Sequence, residues 1–207
     1  MSTRWGALQR GLLVMVGAQL KEYGFVQKLS EQSFRKKMPL GLATCHLSFI
    51  PHGGQDFDIT ADVALRLDAV EELTNRGEGT YTMGGDIGNL SIGRQRRWTV
   101  ATEADLARVV AGIVVALKET GFAFFARFST LEHVYAVLVK NDIESSLYSP
   151  FRDVRWRSVL ALAWLLGRTE ELPHLIAEGE AFLRSKNDPS IRRFTDFASK
   201  IRSLPSR

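Results

Sequence analysis

The chain has a single cysteine, Cys45, among 207 residues. That excludes an internal disulfide framework and a thiolate metal cluster. Cys45 alternates with Ala43, Leu47 and Phe49, so it reads as a small buried hydrophobe, not an exposed nucleophile. Long apolar runs are lacking too. The longest, Val159 to Leu166, is bounded by Arg157 and Arg168, well short of the ~20 residues of a spanning helix, so no membrane segment is expected. The four histidines show no H-x-x-x-H or H-E-x-x-H spacing, which removes the strongest metal signatures. No excess of one charge stands out. Residues 1–150 carry 16 basic and 16 acidic side chains, and residues 151–207 carry 11 and 7. A tail with four surplus positive charges reads as a solvated helical surface, with polyanion binding as the third choice of function.

What is present is a globular composition, 45% hydrophobic and 24% charged, enough for one sizeable domain with an extension. Its clearest signal is the stretch 56–67. Phe57, Ile59, Ala61, Val63, Leu65 and Leu67 take every second position, with Asp56, Asp58, Thr60, Asp62 and Arg66 between them. Strict alternation over this length predicts a long antiparallel strand with odd positions buried and even positions wet.

Around that strand the order of elements follows. Trp5, Leu8, Leu12, Met15, Val16, Leu20 and Tyr23 recur at three-to-four spacing and predict a helix over 4–23 that ends at Gly24. The same stretch competes with a signal-segment reading, through Arg4, Arg10 and Val16-Gly17-Ala18. The amphipathic helix, and a cytoplasmic location, is the reading adopted. Residues 25–28 and 33–38 predict a hairpin, and 42–50 a strand joined to the anchor strand by Pro51-His52-Gly53-Gly54. A short helix follows Leu67, then an irregular strand or bulged pair over 80–93. Thr102 and Asp105 form a capping box for a helix closed by Gly121, and Ser129 with Glu132 a second one opening a helix to about Val139. Residues 141–150 read as a polar linker. Three helices complete the chain, over 153–167, 169–185 and 188–203; the first is apolar almost all round and should be sandwiched. The expectation is thus an α+β fold. It has an N-terminal helix, a mostly antiparallel four- to six-stranded sheet with helices on one face over residues 1–140, and a helical extension over 151–207.

Two surfaces are candidates for chemistry. Thr44, His46 and Ser48 from one strand and Asp58, Thr60 and Asp62 from the next should project from one polar face. Cross-strand neighbours lie close enough there for a histidine–carboxylate pair, which could serve a hydrolase or a metal-dependent enzyme. The second surface is basic and aromatic. It comprises Arg94, Arg96, Arg97 and Trp98, and Arg152, Arg155 and Arg157 around Trp156. Arginine beside an aromatic plane suits phosphate contact and base stacking, and it equally suits an arginine stem packed on a core tryptophan. Gly84-Gly85-Asp86-Ile87-Gly88 lacks a following G-K-[ST] and reads as bulge or turn glycines with no helix start behind them.

Several segments together resemble a bacterial family, domain of unknown function 4304. They are Leu20-Lys21-Glu22-Tyr23-Gly24-Phe25, Phe34-Arg35, Phe57-Asp58-Ile59-Thr60-Ala61-Asp62-Val63, Ile87-Gly88-Asn89-Leu90, Trp98 before a capped helix, and the run from Phe124 to Glu132. The resemblance spans about residues 5–140. Asp86 departs from it, standing where a basic residue is expected. The resemblance implies an α+β domain and carries over no catalytic residues. By analogy it points to a protein that binds another protein, as immunity proteins of toxin systems do. The leading expectation is therefore a non-catalytic protein-interaction module, without cofactor or metal and with neither nucleic acid nor membrane as partner. An enzyme working on the polar sheet face is the alternative.

Overall fold

The computed structural model describes residues 4–53, 56–77 and 80–205, with the side chains of Arg4 and Trp5 excluded. The expected contribution of Trp5 to the first helix face, and Gly54 of the expected turn, lie outside the described residues. The fold is α+β, with an antiparallel six-stranded sheet. The chain forms two compact units. The first comprises residues 1–38, 42–65 and 84–127; the second comprises 39–41, 66–83 and 128–207.

The first unit carries most of the sheet. Helix α1 (Arg4–Lys21) buries Leu8, Leu12, Val16 and Leu20, and Gly24 follows at φ +83°, a conformation that glycine adopts without strain. Strands β1 (Val26–Lys28) and β2 (Ser33–Met38) pair antiparallel, with Gln27 opposite Phe34. Strands β3 (Gly41–Pro51) and β4 (Phe57–Leu67) are the long pair, and the order is β1-β2-β3-β4-β5. The far edge of β4 is shared. Strand β6 (Trp98–Val100) pairs with its first residues, Asp58 opposite Thr99, while β5 (Met83–Asp86) also lies beside β4.

The odd side chains of β4 are buried to 2% exposure or less, as alternation requires. The even side chains are a correction. Asp58 is 8% exposed and Thr60 3%, and Thr44 on β3 is 1% exposed. Alternation separates two faces, but it does not say that the second face is open, and at this level both faces are closed.

Between β5 and β6 the expected irregular strand is instead helix α3 (Ile87–Ile92). Asp86 caps it, accepting from the N–H groups of Gly88 and Asn89 at 2.9 Å each. That job suits an aspartate and not a basic side chain, which accounts for the departure at this position. The glycines serve close approach: a Cβ on Gly84 would stand 2.4 Å from the Val63 carbonyl oxygen, and one on Gly88 2.2 Å from the Arg96 nitrogen.

The capping box of Thr102 and Asp105 is present, and α4 (Leu106–Ala116) follows it. Gly121 does not end the helix. The chain makes a π turn over Leu117–Gly121 and continues as α5 (Phe122–Arg127). Gly121 lies against the sheet, where a Cβ would be 2.9 Å from Val63 Cγ1, so its role is contact and not termination. The continuous helix Glu103–Arg127 is, by length and composition alone, apolar enough to cross a membrane, which corrects the expectation that none is; half of its most apolar stretch is buried.

The second unit is helical. It contains α2 (Asp68–Thr74), α6 (Leu131–Leu138), α7 (Ile143–Tyr148), α8 (Arg152–Leu165), α9 (Leu172–Ser185) and α10 (Ile191–Arg202). Thr130, one residue later than expected, caps α6 by accepting from the His133 N–H. The expected linker contains α7, opened by Asp142. Helix α8 is enclosed as its composition demands: α2, α6, α9 and α10 all pack on it, and Trp156 is 1% exposed. Gly179 of α9 lets Phe194 and Trp156 close in, since a Cβ would stand 2.6 Å from Phe194 Cζ.

Candidate functional site

The polar side of β3 and β4 resolves into two separate groups. In the first, His46 Nδ1 stands 4.0 Å from Asp62 Oδ2, and Ser48 Oγ stands 3.4 Å from the same Nδ1. A nucleophilic relay needs the hydroxyl and the carboxylate on opposite ring nitrogens, so that the imidazole can pass a proton between them. Here both partners approach one nitrogen, and the side chains of His46 and Asp62 are 41% and 42% exposed. This is a loose, solvated pair.

The second group gathers at the β3–β4 turn. His52 Nδ1 lies 3.2 Å from Asp56 Oδ1 and His52 Nε2 lies 3.3 Å from Asp58 Oδ2. Asp58 also accepts from Thr99 Oγ1 at 2.7 Å and faces the Arg97 guanidinium at 3.5 Å. The hydrogen bond to Asp56, followed by the charge of Asp58, lifts His52 above the ordinary imidazole range against a smaller desolvation effect. The bond from Thr99 holds Asp58 below the usual carboxylate range, helped by His52 and Arg97 and opposed by partial burial. Both ring nitrogens of His52 are committed, one to each carboxylate. The two carboxylates therefore diverge from the ring instead of converging on a point where an ion could sit. Among the described residues no group of three or more histidine, cysteine or acidic side chains is arranged to hold a metal.

The structure thus brings His46 to Asp62 and Asp58 to His52, while Thr44 and Thr60 are buried and face no opening to solvent. His52 and Thr99 were not singled out from the sequence. Only the strand register, with Thr99 opposite Asp58, reveals them.

The basic and aromatic residues divide in the same way. Trp98 is 8% exposed and packs on α4, where a Cβ on Gly112 would be 2.9 Å from its Nε1. Arg96 lies over its ring at 5.1 Å, Arg97 is turned to Asp58, and Arg94 is exposed. In the second unit Arg155 is 2% exposed and ties down the preceding loop, donating to the Ser149 carbonyl and to Asn141 Oδ1. Arg157 is 9% exposed, 3.0 Å from Asp153, and donates to the Thr74 carbonyl. Arg152 alone of this trio reaches solvent, 3.7 Å from Asp188. Expecting a surface of Arg155 and Arg157 was wrong because their partners are backbone carbonyls and amides distant in sequence, invisible in local composition.

One surface escaped the sequence reading altogether. Ile143 and Leu147 lie one turn apart on α7, with Phe151 just beyond; they are 91%, 38% and 71% exposed. Beside them is a groove of about 520 Å³ lined by Pro150, Arg152, Phe182 and Lys186 among others. The i, i+4, i+8 spacing was the available signal, hidden inside a segment read as linker.

The fold class is an α+β protein whose polar sheet face is internally paired. No family model, no curated protein and no solved structure matches the chain.

Proposed function

We propose that the chain is a non-catalytic protein-interaction module that docks its partner on the α7 surface. The observation that carries this reading is the exposed row Ile143, Leu147 and Phe151. Large apolar side chains in a contiguous exposed row are costly unless a partner covers them, and aromatic and aliphatic anchors at the edge of a groove are the usual centres of binding energy. Arg152 and Lys186 border the groove, so the partner surface that fits is an apolar ridge flanked by acidic side chains. The internal pairing of His46, His52, Asp58 and Asp62 supports the absence of catalysis, since none of these groups is poised against an open reaction site. The resemblance to family 4304 adds the same direction by analogy.

The test is a pull-down from source cells with the wild-type chain, an Ile143→Asp/Phe151→Asp variant, and a His46→Ala/Asp58→Ala variant. The expected result is a partner retained by the wild type and the histidine variant and lost with the α7 variant. Equal retention by all three, or loss only with the histidine variant, would contradict the proposal.

A further inference from the structure

A second concave surface lies wholly within the first unit, where the end of α1, strands β1 and β2, and α5 meet. Its volume is about 420 Å³, and its lining includes Tyr23, Phe25, Met38, Phe122 and Phe125. That volume lies inside the roughly 300–1,000 Å³ of small-molecule sites, which are also mostly apolar. The wall is a set of rings in mutual contact. Phe25 and Phe122 are nearly parallel, 5.7 Å apart with 7° between planes, Tyr23 meets Phe122 at 5.1 Å, and Phe125 meets Phe25 at 6.1 Å.

Two ammonium groups stand at this wall. Lys36 Nζ is 5.9 Å from the centre of the Phe25 ring, and Lys118 Nζ is 4.9 Å from that of Tyr23. Neither forms an ion pair with a carboxylate among the described residues. Glu22 also borders the groove and acts on Lys118 only through its more distant charge. Two cations against one acid leave the rim positive. A cationic ligand would compete with the lysines already on the ring faces, whereas an anion would complete them.

The backbone builds this groove on purpose-made geometry. The π turn Leu117–Gly121 contains Lys118 and leads directly into Phe122. One extra residue in a helix rotates everything beyond it by roughly 100°, and such turns are frequent at functional sites. Here the rotation is what sets Phe122 against Tyr23 and Phe25, while Gly121 holds the turn close to Val63.

We propose that this groove binds a small amphiphile with an aromatic or medium-length alkyl body and a carboxylate head, the body on the phenylalanine rings and the head between Lys36 and Lys118. The assay is calorimetric and NMR titration of the full chain with three probes: decanoate, decanol and decyltrimethylammonium. Decanoate should bind saturably, shifting resonances of Tyr23, Lys36, Lys118 and Phe122, and about tenfold more tightly than the ammonium probe at low salt. A Lys36→Gln/Lys118→Gln variant, altered only at solvent-facing positions, should bring carboxylate and ammonium probes to within about twofold of each other. Ala126→Trp, which fills the exposed end of the groove, should abolish binding of decanoate with helical circular dichroism unchanged. Equal affinity for all three head groups, shifts confined to other surfaces, or undiminished binding to Ala126→Trp would overturn the proposal.

Discussion

Replacing Glu71 on α2 should destabilise the second unit selectively and by a large amount. Its carboxylate is fully buried. Arg76 Nε donates to it at 2.9 Å, Thr80 Oγ1 at 2.8 Å and Thr82 Oγ1 at 2.7 Å, and a second Arg76 nitrogen donates as well. Burial alone would push this acid up, yet the bonds from Arg76 and Thr82 outweigh it and hold the group below the usual range. Glu71→Ala removes every acceptor at once and leaves Arg76, 12% exposed, without its counter-charge. Breaking a buried pair from one side costs about 3–5 kcal/mol, a large share of the ~5–15 kcal/mol that stabilises a typical domain. Once Glu71 is gone, Arg76→Ala should add little, so the double-mutant cycle should show coupling of about 2–3 kcal/mol. The assay is urea unfolding of fluorotryptophan-labelled protein, because two compact units need not unfold together. The Trp156 resonance reports the second unit and should lose its folded signal at lower urea, while Trp98, in the first unit, should keep its midpoint. A loss below about 1 kcal/mol, or additive single variants, would refute the reasoning.

Three further outcomes follow. His52, with its value raised by Asp56 and Asp58, should titrate by NMR above the ordinary ~6.5, and Asp58→Asn should bring it down. Stability from His52 is fully present below its unfolded value and is lost as pH rises through its folded one; that from Asp58, whose value is lowered, is lost as pH falls through its own. The β3–β4 turn should therefore be most protected from hydrogen exchange at about pH 5–6, and a flat profile would contradict the clamp. Gly84→Ala forces a methyl group onto the Val63 carbonyl and should cost about 1–3 kcal/mol, measured at the Trp98 resonance. Cys45, whose thiol is fully buried and pushed well up by that burial, should react with a thiol reagent only at the rate of unfolding; rapid labelling of the native chain would contradict its placement.

Much of the fold is legible because two periods dominate it. The alternation of Phe57 to Leu67 gives β4, the three-to-four spacing of Leu8 to Leu20 gives α1, and the apolar circumference of Trp156 to Leu162 gives an enclosed α8. What is not legible depends on short or non-local features. Helices α3 and α7 have six residues each, under two turns, which is too short for a period to declare itself. The glycines that argue against α3 are demanded by neighbouring backbone that composition does not reveal. For the candidate site, the sequence names His46, Asp58 and Asp62 but not their pairing, because a histidine's partner is set by register and turn, and those place Asp58 on His52.

The most direct measurement is site-specific photo-crosslinking in source cells, with a photoreactive phenylalanine at position 143, 147 or 151 in one set and at 46 or 62 in another. Docking on α7 predicts a discrete adduct from the first set, suppressed by a second substitution Phe151→Asp where the crosslinker stands at 143. Adducts only from positions 46 and 62, or none from 143, 147 and 151, would contradict it.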